Sequence, residues 1–307
     1  MSTTLKTLVI TLISGLLAMN THATATDDVV SDSRWNIGVA MGYGKRSNPL
    51  SGHKDLPIVA VVDLSWYGDH WFFDNGDVGL TLINNDFFTV NLITQLAPHR
   101  WYFEHTSRQL ITFGGTASSG VDNNGVVGDS GAEGDGASNG GDDTPNGDDD
   151  NQGNDEQNSL LIPDRDWAIE SGIEILADGQ WGAIEASISQ DISSNHNGFS
   201  TTLSYGKNYV AGRWLFSNHF GITWNNQDLN HYYYGVNDYE ANRATPPYRA
   251  DSGYNVYTRF LARYYLSKRW SFAILMDYEQ LSSAISDSPF IDNDYIWSVY
   301  SGFKYRF

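Results

Sequence analysis

The chain contains no cysteine and only eight prolines in 307 residues, and its eighteen lysines and arginines are outnumbered by thirty-seven acids, for a formal net charge of −19. Without cysteine there is no disulfide framework, no thiolate metal site and no cysteine nucleophile. The shortage of positive charge argues against nucleic acid as a partner, because phosphate binding rests on clustered Lys and Arg. The eight histidines are scattered without a metal-ligand spacing, and the glycines at 38, 42 and 44 sit in a strand pattern with no helix following, so they form no phosphate loop. No cofactor is expected. Beyond the N-terminus no apolar run is long enough to cross a bilayer as a helix.

What the sequence has in quantity is aromatic residues, 14% of the chain. Its mean hydropathy of −0.39 resembles that of a soluble protein. A membrane β-barrel also averages polar, because alternate residues of each strand face a wet lumen. At the N-terminus Lys6 precedes the apolar stretch Leu8 to Met19, and Thr21-His22-Ala23-Thr24-Ala25 follows as a small-residue cleavage pattern. Residues 1–25 therefore read as a secretory signal peptide and 26–307 as the exported protein. Within it, 114–158 is built of Gly, Asp, Asn and Ser, with eleven acids and no Lys, Arg or aromatic residue. Such a composition cannot bury enough apolar area to offset its chain entropy, so a disordered acidic loop is expected there. The nearest approach to a calcium loop, starting at Asp148, fails at Gln152 and Ser159.

Elsewhere the period is two. Trp297, Val299, Phe303, Tyr305 and Phe307 alternate with Ser298, Tyr300, Gly302, Lys304 and Arg306, and the same rhythm recurs along the chain. Strands are expected at 34–44, 57–67, 70–83, 87–96, 100–113, 166–177, 182–193, 198–206, 213–225, 254–266, 270–281 and 296–307. Segments of ten to thirteen residues exceed ordinary strands but match the tilted crossing of a bilayer. The fold expected is all-β, a transmembrane antiparallel barrel of about twelve strands. A misread hairpin near Asp74 to Asp77 would make the number ten or fourteen. Short and long connections alternate, which puts the chain ends and short turns on the periplasmic side and the acidic loop outside. Membrane lipid is thus the first partner. The polar faces offer lumen-facing charged candidates, the acids Glu170, Glu174, Glu185, Asp191, Asp277 and Glu279 against Arg259, Arg263, Lys304 and Arg306.

A further set of residues carries a family likeness. It begins with Trp35, Gly38, Gly42, Pro49, Gly52 and Leu56-Pro57, then Tyr67-Gly68, Phe72-Phe73 and Gly79. It continues through Asn197-Gly198, Tyr233-Tyr234-Gly235-Val236, Tyr248-Arg249-Ala250 and Gly253. Leu266 with Trp270, Ser288-Pro289-Phe290 and the terminal Tyr305-Arg306-Phe307 complete it. In this order and spacing the chain resembles the MipA/OmpV family, named for the MltA-interacting protein; the acidic tract departs from the family pattern. The resemblance implies an outer-membrane protein of a Gram-negative cell and, by analogy with the name-giving member, a non-enzymatic scaffold. Its partners would be a periplasmic lytic transglycosylase and a murein synthase.

Two other functions compete. The mixed charges could line a small-solute channel, although opposite charges inside a small barrel more often pair and fill it. More remotely, His105 and Ser107 have the spacing of an outer-membrane lipid hydrolase, the histidine taking the serine proton. Glu104 points to the opposite face and cannot orient that histidine.

Overall fold

The computed structural model describes residues 35–103 and 162–307. They form twelve antiparallel strands: β1 (Trp35–Arg46), β2 (Leu56–Tyr67), β3 (Trp71–Asp74), β4 (Asp77–Asn84), β5 (Thr89–Leu96), β6 (Ile169–Gly179), β7 (Gly182–Asp191), β8 (Phe199–Ala211), β9 (Trp214–Asn225), β10 (Gly253–Tyr265), β11 (Trp270–Gln280) and β12 (Tyr295–Arg306). Each strand pairs with its sequence neighbours, and β1 with β12 from Gly38↔Arg306 to Arg46↔Ser298, so the barrel closes. The signal peptide, the acidic tract 114–158 and the His105/Ser107 pair lie outside the described residues.

The expected number of strands is right because two misreadings cancel. The segment 70–83 is two strands, not one. Asp74-Asn75-Gly76-Asp77 turns the chain back through positive φ at Asn75 (55°) and Gly76 (102°), the two-residue hairpin that such backbone angles favour. The segment 100–113, expected as a strand, starts instead with a 3₁₀ helix at Pro98–Tyr102, and its remainder lies outside the described residues. Pro98 removes a strand donor, and Tyr102 and Phe103 are both buried although adjacent, which a strand with alternating faces cannot do. The Ala97–His99 stretch is accordingly part of the long connection after β5. The turn expected over Lys207–Gly212 shrinks to Gly212-Arg213, since β8 runs on to Ala211.

Alternation sets which face meets which medium. Along β6 and β7 the isoleucines 173, 175, 184 and 188 are exposed, while Glu174 and Glu185 behind them are 0% and 5% exposed. An exposed belt of Ile, Val, Leu and aromatic side chains around a polar interior inverts a soluble protein and matches a barrel solvated by lipid. Aromatic pairs mark both rims: Trp214–Tyr264 and Trp270–Tyr305, each 5.0 Å between rings, near the short turns, and Phe199–Trp224, 5.2 Å, at the other end.

The two rims differ. The connections after β2, β4, β6, β8 and β10 are two to four residues long, whereas those after β1, β5, β7, β9 and β11 are longer. The long connections pack together over the barrel mouth. Leu50, Ala97, Phe103, Tyr233, Tyr234 and Phe290, each almost fully buried, come from four of them and form the main apolar core. Its centre is α1 (Gln227–Tyr234), whose start is fixed by Asn226 Oδ1 accepting the Leu229 amide at 3.1 Å. The barrel wall itself is uneven. β3 pairs with β2 only at Ser65, Trp66 and Tyr67, so among the described residues the mouthward half of β2 has strand pairing on one side only.

Candidate functional site

The candidate site is the charged inner wall and the two surfaces that bound it. Registers place Asp63 (β2), Asp74 (β3), Asp77 (β4), Glu174 (β6) and Glu185 (β7) on the inner face of one sector. Glu174 lies within Coulombic reach of Glu185, Asp77 and Asp74. Its Oε1 accepts from Asn91 Nδ2 at 2.9 Å, while Oε2 is buried with no hydrogen bond. Asp74 accepts from the Tyr67 hydroxyl at 2.6 Å and from Asn75 Nδ2 at 2.7 Å. Higher in the same sector Glu170 stands 3.4 Å from His196 Nε2, and Asp191 accepts the amides of Ser193, His196 and Asn197. Glu170 thus approaches the base of the cap, and Asp191 organises the loop after β7.

No lysine or arginine occupies an inner position from β3 to β8; the inward bases belong to β10, β12 and β1. Arg259 donates through Nε to Asp277 on β11, whose second oxygen accepts from Ser298 at 3.0 Å. Glu279 accepts from Asn255 at 2.9 Å. Lys304 donates to Asp63 across the closing seam. Arg263 is 4% exposed, and its Nε makes no hydrogen bond. Arg306 stands at the short-turn end of β12 opposite Gly38. Among the ten charged residues singled out in the sequence, Arg259 and Asp277 are brought together as an ion pair.

Asp63, Asp74, Asp77 and Arg46 belong to this wall and were not legible as such. Asp63 carried a signal, since Asp63 and Ser65 alternate with Val62 and Leu64. Asp74 and Asp77 were hidden by reading the hairpin as a straight strand. Arg46 ends the β1 alternation, and its Nη2 donates to the Tyr102 hydroxyl at 2.6 Å, tying wall to cap.

The cap has its own polar fastenings. Arg165 donates to Glu240 at 2.7 Å and to the Gly235 carbonyl at 3.1 Å. Burial works against the Glu240 carboxylate, but hydrogen bonds from Arg165 and Asn237 hold it below its usual range. His99 Nδ1 shares a 2.9 Å hydrogen bond with the Tyr234 hydroxyl. Burial pushes the His99 imidazole down to about 4; nearby Glu170 opposes that shift and His196 reinforces it.

A closed antiparallel barrel with an apolar outer belt, aromatic rims, short turns at one end and long connections at the other defines a transmembrane β-barrel of the outer-membrane class. Residues 37–307 match the family model described as MltA-interacting protein MipA, and the chain belongs to that family. It is 26% identical over 147 residues to the MltA-interacting protein of Escherichia coli K12, covering 48% of this chain and 59% of that protein. It is 27% identical over 126 residues to the outer membrane protein OmpV of Vibrio cholerae, covering 41% of this chain and 49% of that one. The chain therefore matches only half to three-fifths of the length of these relatives. A solved NanC porin is similar at a TM-score of 0.39 and 10% identity, over 88% of this chain and 100% of that one.

Proposed function

We propose that this outer-membrane barrel is a scaffold that holds murein-remodelling enzymes, a lytic transglycosylase together with a murein synthase, at the periplasmic face of the membrane. The observation that carries this reading is the family match over 37–307, joined to the name of the E. coli relative, which describes an interaction. The short-turn rim is the periplasmic one on the usual asymmetry of such barrels, and it is where such an enzyme would dock. The barrel then contributes position: an enzyme tethered at one membrane face meets its polymer at a raised local concentration. Co-purification of an MltA-type transglycosylase with the barrel, extracted in mild detergent after crosslinking in intact cells, is the expected result. Recovery of the barrel without it would end this reading.

A second reading, a small-solute channel, is favoured by one feature: a polar inner wall whose β2–β7 sector is lined by acids without a base. The apolar cap over the long-connection mouth counts against it, since thirteen buried apolar side chains pack together there. Single-channel recording in planar bilayers separates the two readings, with silence expected of a scaffold and resolved steps of a channel.

A further inference from the structure

The charge division of the inner wall continues onto the short-turn rim. The turns of the β2–β7 sector carry Asp69 and Asp86, with Asp178 at the end of β6, and no Lys or Arg. The turns of the β8–β11 sector carry Arg213, Lys268 and Arg269, and no acid. All six side chains are exposed. The rim is therefore a face with one acidic half and one basic half, and the boundaries between them fall where the inner wall also changes sign.

The size of this face decides what that charge pattern is for. Twelve strands ~4.8 Å apart, tilted by ~40°, enclose a rim of roughly 450 Å². A standard stable interface takes ~800 Å² from each partner. A protein that touches only the rim is therefore short of contact area, and short turns offer no deep pocket for an anchoring aromatic side chain. Opposed charge supplies what area does not: it steers approach, fixes one rotational setting about the barrel axis, and repels the setting turned half-way round. A rim of one sign would attract an oppositely charged partner in any rotation. A divided rim selects one.

We infer that the short-turn rim is a dipolar docking face for a protein whose contact surface is divided in the opposite sense, basic against Asp69, Asp86 and Asp178 and acidic against Arg213, Lys268 and Arg269. This rests on the scaffold reading and adds to it the orientation in which the partner is held. Rim charges act mainly on the association rate, so binding through this face weakens steeply as salt rises.

The test uses the mature barrel in nanodiscs and a purified, fluorescently labelled MltA-type lytic transglycosylase as the probe, with affinity and association rate measured at low and high salt. Two triple reversals are compared with the wild type: Asp69→Lys with Asp86→Lys and Asp178→Lys, and Arg213→Glu with Lys268→Glu and Arg269→Glu. The slower migration of the barrel after boiling in SDS gels verifies that each variant is folded. The inference expects each reversal alone to lower affinity at least tenfold, chiefly through slower association, with high salt removing most of the difference. Charge-neutral triple variants, in which the same residues become Asn, Gln or Ser, are expected to lose less than the reversals, since they remove attraction without adding repulsion; a loss as large as that of the reversals would overturn the inference. If the wild type binds and one reversal has no effect, the rim is a patch of single sign and the dipolar inference falls while the scaffold stands. If the wild type does not bind the transglycosylase at all, both fall.

Discussion

Lys304 on β12 reaches over Gly38 on β1 to donate to Asp63 on β2, an ion pair between residues 241 positions apart that bridges the seam where the barrel closes. Gly38 stands opposite Asp63 on one side and Arg306 on the other, and a Cβ added there would come within 2.6 Å of the Lys304 Cε. A bare position on the middle strand is what lets the lysine stem cross it. Asp63 is only 2% exposed, so Lys304→Met leaves a buried carboxylate without its cation, at a cost of about 3–5 kcal/mol. Urea unfolding in detergent reads that loss. Adding Asp63→Leu to Lys304→Met restores most of it, because the charge that needed a partner is gone; a single variant as stable as wild type would remove the pair from the account.

The opposite sign is expected in the acidic sector. Glu174 is fully buried with one oxygen lacking a hydrogen bond and faces three other carboxylates. Glu174→Gln replaces a carboxyl crowded by other carboxyls with an amide that cannot ionise and supplies a donor, so the variant unfolds at higher urea than wild type, by up to ~2 kcal/mol. Equal or lower stability would mean that the sector holds its charge in a way the present geometry does not explain.

The hairpin between β3 and β4 depends on its two central residues. Asn75 Oδ1 accepts the Leu64 amide at 3.0 Å, which anchors the turn to β2 as well as closing it. Asn75→Ala loses that hydrogen bond and the residue's tolerance of positive φ; Gly76→Val introduces a branched side chain at φ 102°. Each variant is expected to lose about 1–2 kcal/mol, measured as a shift in urea midpoint, with exchange of the β3 and β4 amides accelerated ahead of those in β9 and β10.

This turn also marks how far the sequence can be read. Ten of the strands follow from alternation alone, because lipid on one side and polar groups on the other force a period of two over eight or more residues. β3, four residues long, is too short to show a period, and its Asp-Asn-Gly-Asp turn was overridden by the apolar residues on either side. The 3₁₀ helix at Pro98–Tyr102 failed in the reverse way: Tyr102 and Phe103, adjacent in the chain, bury together in the cap, where a strand would send them to opposite faces. Inward charges were visible one strand at a time. Their sorting into a sector of acids alone and a base-rich mixed sector was not, since it depends on which strands are neighbours and on the register between them.

The cap should loosen in acid. His99 is held near 4 in the folded protein against about 6.5 for an unperturbed histidine, so the unfolded chain takes up a proton before the folded one does. The histidine's contribution is therefore fully present above about pH 6.5 and is lost as pH falls towards 4. Tryptophan fluorescence and amide exchange of α1 between pH 7 and pH 4 measure this, the barrel strands remaining protected. His99→Gln flattens the response in that window; an unchanged response would assign it to other groups of the cap.

The claim on which the rest stands is that one face of every strand meets lipid. The chain has no native cysteine, so single cysteines can be placed without background. Spin labels at Ile184, Ala186 and Ile188, and separately at Glu185, Ser187 and Ser189, reconstituted in bilayers, report collision with oxygen dissolved in lipid and with a water-soluble nickel complex. The account predicts high oxygen and low nickel accessibility at 184, 186 and 188, and low oxygen accessibility at 185, 187 and 189. Oxygen accessibility that does not alternate along β7, or nickel reaching all six labels equally, would contradict it.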